Sequence, residues 1–104
     1  MDRVLVDHLS TWQYVYDKLE VSNEEAFNLY NQGKLDEWDW LKMDLALVKG
    51  AHPGITDEKM RQLCVGTPLM DGIRECLDWI IANGHEVAII SGGMQETARD
   101  IACM

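Results

Sequence analysis

A serine and two glycines, Ser91, Gly92 and Gly93, stand between an apolar run and a helical pattern. The apolar run, residues 87–90, is rich in β-branched side chains and predicts a fully buried strand. The helical pattern begins at Met94. Helix N-termini favour anions, and glycine lets a ligand approach the backbone closely. A hydroxyl and backbone N–H groups at such a junction can hold a phosphate, although a plain helix N-cap with a glycine turn gives the same pattern.

A helix is predicted just upstream, opening at Pro68 and running to Ala82. Its apolar residues recur with the i, i+3, i+4, i+7, i+8 spacing of one buried face. They are Ile73, Cys76, Leu77, Ile80 and Ile81. Gly84 is placed to form a left-handed C-terminal cap. A helix followed by a buried strand is typical of open α/β sheets, which bind ligands at the carboxyl ends of their strands.

The order of features over residues 68–102 resembles the haloacid dehalogenase superfamily of phosphatases, and within it the phosphoserine phosphatase-like branch. The shared features are Pro-Leu-Met-x-Gly, a helix, Asn-Gly-His, an apolar strand and Ser-Gly-Gly. In that branch the strand ends in the serine that binds phosphate. The resemblance implies a magnesium-dependent phosphomonoester hydrolase in which Ser91, Gly92 and Gly93 bind a small phosphorylated metabolite.

The N-terminal residues carry the second resemblance. Residues 1–7 are similar to the end of the family's first motif, Asp-x-Asp-x-(Thr/Val)-Leu-Val. Asp2 matches the second aspartate, which implies that it is the catalytic acid/base and a ligand of Mg²⁺. Arg3 stands where the family commonly has a small residue or glycine. The nucleophilic aspartate, the lysine motif and the downstream acidic motif have no counterpart, so we expect a fragment that is inactive alone.

The region between these two segments is predicted to be helical. Ser10, Ser22 and Thr56 each precede a helical pattern in the manner of an N-cap. A further helix is predicted from about Leu35 to a terminator at Gly50. The branch of the family that this chain resembles carries a small helical cap domain at this place, which closes over the active site.

These elements predict a mostly α-helical chain that retains part of a Rossmann-like α/β core. Residues 1–9 are the remnant of the first core motif, residues 10–66 the inserted helical cap, and residues 67–104 the partial α/β core. Two positions argue against free phosphoserine as the substrate. Leu9 stands where phosphoserine phosphatases have a glutamate for the substrate ammonium group. Asp44 stands near their carboxylate-binding arginine and would repel that carboxylate.

Composition excludes several classes of partner. The chain has 104 residues, of which 47% are hydrophobic and 26% charged, as is ordinary for one small globular domain. Its net charge of −9 argues against nucleic acid and anionic membranes. No signal peptide or membrane-spanning run is evident. The three cysteines lack metal-ligand spacing and are predicted to be buried free thiols, and their odd number favours the cytoplasm.

Some residues that suggest ligand binding have a simpler structural interpretation. Four tryptophans could form a stacking platform, but the acidic charge favours roles in the core and at the cap interface. They are Trp12, Trp38, Trp40 and Trp79. Three acidic residues could hold a metal ion, but they lie at a predicted helix start, where they complement the helix dipole. They are Asp36, Glu37 and Asp39.

Two functions are consistent with this sequence. The first is a phosphomonoester hydrolase of the haloacid dehalogenase type. The second is a non-catalytic helical module that derives from such an enzyme and associates with itself or a partner. Residues 87–90 are apolar on both faces, as in a covered parallel sheet, and in the parent fold their neighbouring strands come from outside this sequence. Exposed strand edges pair with other chains, so we expect a homo-oligomer, most simply a symmetric dimer.

Overall fold

The computed structural model describes every residue from Met1 to Met104, and the chain is mostly α-helical, as predicted. The helices are α1 (Thr11–Leu19), α2 (Glu24–Asn31), α3 (Glu37–Ala51), α4 (Asp57–Cys64), α5 (Ile73–Ala82) and α6 (Gln95–Ala102). No helix combines the length and the apolar character that crossing a bilayer requires. There is no extended strand, and the only β pairing consists of isolated bridges from Val6 to Asp2 and to Leu69.

The residues form two compact units. The first unit is discontinuous in sequence and consists of Met1–Tyr14 together with Cys64–Met104. The second unit is the continuous segment Val15–Leu63. All the predicted site residues, from Asp2 to Gly93, therefore belong to the first unit.

Side-chain caps fix the starts of three helices. Ser10, Asp36 and Thr56 each accept a hydrogen bond from the amide three residues later, at 3.5, 2.8 and 3.2 Å respectively. These bonds satisfy backbone donors that have no partner inside a helix. The caps predicted at Ser10 and Thr56 are confirmed. The cap predicted at Ser22 is wrong, because Asn23 occupies the N-cap position of α2 and Ser22 Oγ accepts from the Glu24 amide at 3.3 Å. The third helix begins after the Asp36 cap rather than at Leu35, and it continues through Gly50.

The core of the second unit forms where α2 packs on α3. Its buried apolar side chains come from four helices and are Val15, Tyr16, Ala26, Val48 and Leu63. Trp40 of α3 lies against Tyr30 of α2, with ring centroids 4.4 Å apart, and meets Phe27 edge-on. These contacts bury the apolar faces that the helical spacing defines.

Asp44 is a charged residue inside this core, with 7% of its surface exposed. Burial raises the pKa of the Asp44 carboxyl, because it disfavours the charged form. Polar groups of Tyr16, Asn23 and Trp40 oppose this rise in pKa in part, while the Oδ1 atom of Asp44 has no hydrogen-bond partner. Burial, followed by the charge of Asp44, also raises the pKa of Tyr16. Asp44 is thus a buried core residue of the second unit, and its carboxylate is not displayed on the surface.

The strand predicted at residues 87–90 is wrong. These residues form neither helix nor strand, and Ile90 is 94% exposed. A strand needs a neighbour to pair with its backbone N–H and C=O groups. Since no other extended strand is present in this chain, the apolar run has nothing to pair with, and no sheet forms.

The predicted helix upstream is right in type but wrong in its start and in its burial. It begins at Ile73, because Gly72 before it adopts a left-handed backbone with φ +73°. The segment that contains Pro68 instead pairs with the N-terminal residues, since the Pro68 carbonyl oxygen accepts a hydrogen bond from the Asp7 amide at 2.8 Å. None of the residues of α5 is buried. The cap at Gly84 is confirmed, with φ +82°.

Two predictions about burial hold only in part. All three cysteines are free, as predicted, but only Cys64 is buried, whereas Cys76 and Cys103 are exposed. Trp38 and Trp79 are predicted to lie in the core or at the cap interface, but both are largely exposed in this structure. Residue type alone did not identify which side chains have neighbours to cover them.

Candidate functional site

A tight turn positions Asp2 within the first unit. The carbonyl oxygen of Met1 accepts hydrogen bonds from the amides three, four and five residues later, at 3.2, 2.9 and 3.3 Å. This turn places Arg3 at φ +56°, in the left-handed region that favours glycine. For a residue with a side chain that conformation costs about 1–2 kcal/mol. Arg3, which stands where the resembled family commonly has a small residue or glycine, therefore has a backbone conformation that favours glycine.

The turn brings Asp2 beside Gly93, which lies near the other end of the sequence. A Cβ atom built on Gly93 would lie 3.3 Å from Asp2 Oδ1, 2.9 Å from Met1 Cε and 2.6 Å from Thr11 Oγ1. The Oδ1 atom of Asp2 is buried and has no hydrogen-bond partner in the protein. An unpaired carboxylate oxygen therefore faces the glycine of the predicted phosphate loop.

Ser91 and Gly92 form the exposed side of this loop. The Oγ atom of Ser91 accepts a hydrogen bond from the Gly93 amide at 3.0 Å. A hydroxyl has one donor hydrogen and two acceptor lone pairs. Accepting from Gly93 therefore leaves the Ser91 O–H able to donate to an anion in the solvent.

Two residues of α1 that the sequence analysis did not assign to the site also contact the loop. The Oγ1 atom of Thr11, a residue only 1% exposed, accepts a hydrogen bond from the Met94 amide at 2.8 Å. The Nε1 atom of Trp12 donates to the Gly92 carbonyl oxygen at 3.1 Å. No local pattern could have revealed these contacts, because they join residues at opposite ends of the chain. Sequence reasoning identified only the helix start that Thr11 and Trp12 share.

No protein-family model, curated protein or solved structure matches this chain. The link to the haloacid dehalogenase superfamily therefore consists of the sequence resemblance alone. What that resemblance implies about activity, substrate and cofactor is a proposal for this protein. The contacts around Asp2 and the Ser91–Gly93 loop are independent of it.

The magnesium ion that the resemblance implies requires oxygen ligands in octahedral arrangement, usually one or two carboxylates together with phosphate oxygens and water. Asp2 offers one carboxylate, whose Oδ1 atom has no protein partner. No group of three or more His, Cys, Asp or Glu residues is arranged to hold a metal ion. Asp2 is the residue of the predicted site that would contribute a carboxylate to the ion.

An apolar groove of about 540 Å³ is the second notable feature of the first unit. It lies between α5, α6 and the segment that was predicted as a strand. Its apolar lining includes Leu77, Ile81, Val87, Ile89 and Ile101. Arg74 and Arg99 add positive charge to the lining and Asp78 adds negative charge. Arg99 also forms an ion pair with Glu96 at 2.7 Å. One wall of the groove is formed by the face of α5 that is predicted to be buried, which includes Leu77 and Ile81.

Proposed function

We propose that the first unit forms the phosphate-holding side of a phosphomonoester hydrolase of the haloacid dehalogenase type. The observation that carries the proposal is the proximity of Asp2 to the Ser91–Gly93 loop, measured by the 3.3 Å between Asp2 Oδ1 and a Cβ built on Gly93. The sequence resemblance assigns both segments to one site. Their meeting across the whole length of the chain supports that assignment.

In the proposed enzyme, residues 67–104 belong to a Rossmann-like α/β core and the second unit corresponds to the helical cap. The Ser91 O–H donates to a phosphate oxygen, and the start of α6 favours negative charge there. The phosphoryl group passes to the family's nucleophilic aspartate, which has no counterpart in this chain, as Asp2 protonates the departing oxygen. The Asp2 carboxylate then accepts a proton from the water that hydrolyses the aspartyl phosphate. Mg²⁺, when bound, would neutralise charge on the phosphate, and Asp2 would contribute one carboxylate to it.

The chain on its own is expected to bind phosphate weakly and to hydrolyse no phosphomonoester. No residue matches the family's nucleophile or its lysine. In other enzymes, removing the nucleophile from a set of cooperating catalytic residues lowers turnover about a million-fold. A helix N-terminus contributes about 0.3–2 kcal/mol toward an anion, whereas a millimolar complex requires about 4 kcal/mol. A net charge of −9 further opposes an anionic ligand.

The proposed substrate is a small phosphorylated metabolite other than free phosphoserine. Leu9 is exposed in the first unit and offers no charge to an ammonium group. The proposed setting is the cytoplasm, where thiols stay reduced, and three free cysteines suit it.

The test of the proposal is binding of inorganic phosphate, followed by amide NMR at constant ionic strength. We expect the amide resonances of Ser91, Gly92 and Gly93 to shift together and to report a dissociation constant in the millimolar range or weaker. Ser91→Ala should raise that constant about tenfold or more, because a hydrogen bond to a charged group contributes about 1.5–3 kcal/mol. Ser22→Ala removes an exposed serine hydroxyl from the second unit and should leave the constant unchanged.

Equal phosphate affinity of Ser91→Ala and the unaltered chain would contradict the phosphate role of this serine. Shifts confined to other parts of the chain would contradict the proposed site as a whole. Chloride at matched ionic strength is the control for a general anion effect.

A second candidate function, self-association, is favoured by the apolar groove and by the exposed apolar residues beside it. Ile81 belongs to the apolar face of α5 and lines the groove, yet 59% of its surface is exposed. Such a surface rarely stays open in a monomeric protein, and a second copy of the chain is the occupant proposed here.

Sedimentation at micromolar concentration should then show a dimer or a larger species. Ile81→Glu should shift the protein to a monomer, because it places a charge in the apolar contact. Leu45→Glu alters a comparably exposed aliphatic residue of the second unit and should not change the assembly state. A compact monomer of the unaltered chain with cooperative unfolding would refute self-association.

A further inference from the structure

We propose that Trp12 is a positioning residue for the hydroxyl of Ser91 and acts on it through one peptide group of the phosphate loop. This inference rests on the proposed function, since it concerns how that loop presents its phosphate donor. Trp12 lies in the first turn of α1 and contacts the loop through a side-chain hydrogen bond to the backbone. In this assignment Trp12 acts on Ser91 through the backbone of the loop, so its role is indirect.

The peptide group that joins Gly92 to Gly93 connects Trp12 to Ser91 through two hydrogen bonds. Its carbonyl oxygen accepts a hydrogen bond from Trp12 Nε1 at 3.1 Å, and its N–H donates to Ser91 Oγ at 3.0 Å. The C=O and the N–H of a trans peptide point in opposite directions from a rigid plane. Holding the carbonyl toward Trp12 therefore turns the N–H toward Ser91.

The N–H of Gly93 orients the hydroxyl group of Ser91. It occupies one lone pair of Oγ, so the hydroxyl hydrogen is directed away from Gly93 and serves as a donor. A donor O–H is the form of serine that binds a phosphate oxygen. The hydrogen bond from Trp12 thus sets the orientation in which Ser91 meets an anion.

The peptide group between Gly92 and Gly93 needs an external contact to hold its orientation. Glycines stand on both sides of it, and glycine permits backbone conformations that other residues avoid. Without a contact to its carbonyl, the plane between Gly92 and Gly93 would rotate more freely than one between residues with side chains. Thr11, the neighbour of Trp12, holds the next amide, that of Met94, at 2.8 Å. The first turn of α1 therefore fixes the loop at two successive points.

The experiment compares the unaltered chain with Trp12→Phe, which removes the indole N–H and keeps an aromatic ring. We expect the phosphate dissociation constant to rise about threefold to tenfold, as loss of a neutral hydrogen bond predicts. We also expect faster solvent exchange of the Gly93 amide, measured without phosphate. Trp79→Phe is the matched control, because Trp79 is an exposed tryptophan of the same unit, and it should change neither quantity.

A further measurement uses the unaltered chain alone and does not depend on how Trp12→Phe folds. The indole N–H resonance of Trp12 should shift during the phosphate titration with the same dissociation constant as the amide of Gly93. An indole resonance that stays fixed while the loop amides shift would overturn the inference.

The outcomes separate this inference from the proposed function. If the loop of the unaltered chain does not respond to phosphate, the proposed function fails and the inference fails with it. If the chain binds phosphate and Ser91→Ala weakens binding, but Trp12→Phe changes neither affinity nor Gly93 exchange, only the inference is overturned. Weaker binding and faster Gly93 exchange in Trp12→Phe, with Trp79→Phe unchanged, support it.

Discussion

Gly93→Ala is expected to destabilise the first unit and to abolish the response of the loop to phosphate. The added methyl group would lie 2.6 Å from Thr11 Oγ1 and 2.9 Å from Met1 Cε. Thr11 is buried and bonded to the Met94 amide, so it cannot move aside without losing that bond. Overpacking of this kind costs about 1–3 kcal/mol. For a chain of this size, a thermal unfolding midpoint lowered by on the order of 10 °C should result.

Gly92→Ala is the matched control for this effect. A Cβ built on Gly92 has no atom within 4 Å, and neither Gly92 nor Gly93 has a left-handed backbone. Alanine at position 92 should therefore leave the unfolding midpoint unchanged or raise it slightly, because it restricts the unfolded chain. Equal midpoints for the two variants would show that the space around Gly93 is not as tight as these distances imply.

Asp44→Asn is expected to stabilise the protein at neutral pH by about 1 kcal/mol, the lower end of the cost of a buried unpaired polar group. Burial raises the pKa of the Asp44 carboxyl above its unfolded value of about 3.9. The folded state therefore favours the protonated acid, and the chain loses stability as the pH rises from the unfolded pKa through the folded one. Asparagine carries no charge at any of these pH values and avoids that loss.

The pH dependence distinguishes this explanation from a simple change in packing. The gain in the free energy of unfolding from Asp44→Asn should be full above the raised pKa and should vanish as the pH falls toward about 4. Urea unfolding at a series of pH values measures it directly. Glu86→Gln, at an exposed acid between α5 and α6 that does not line the groove, is the control and should give no comparable gain. A gain for Asp44→Asn that is the same at pH 4 and pH 7 would contradict the role of burial.

The helix starts after Ser10 and Thr56 and the helix stop at Gly84 could be predicted from the sequence because their causes are local. Ser10 and Thr56 cap helices through bonds that span only three residues. Gly84 ends α5 because a left-handed residue is needed at that place. In each case the residue and its partner lie within one turn of each other, so the pattern of neighbouring residue types contains the information.

Burial could not be predicted in the same way, because it depends on partners distant in the chain. Residues 87–90 have the composition of a buried strand, but that composition becomes a strand only when another strand lies beside it. The face of α5 that includes Ile81 has helical periodicity and still lines an open groove. The hydrogen bonds of Thr11 and Trp12 to the loop likewise depend on how distant segments meet. Only the family resemblance grouped Asp2 with Gly93.

The discontinuity of the first unit has a consequence for how the protein is made. The second unit is one continuous stretch, so its contacts become possible early, while the ribosome is still adding later residues. The first unit must instead join Met1–Tyr14 to Cys64–Met104, a segment that is synthesised after the second unit. The bond from the Met94 amide to Thr11 closes a loop of 83 residues, and closing long loops slows folding. The loop of Ser91 and Gly93 is therefore synthesised long after the residues of α1 that hold it, with the whole second unit made in between.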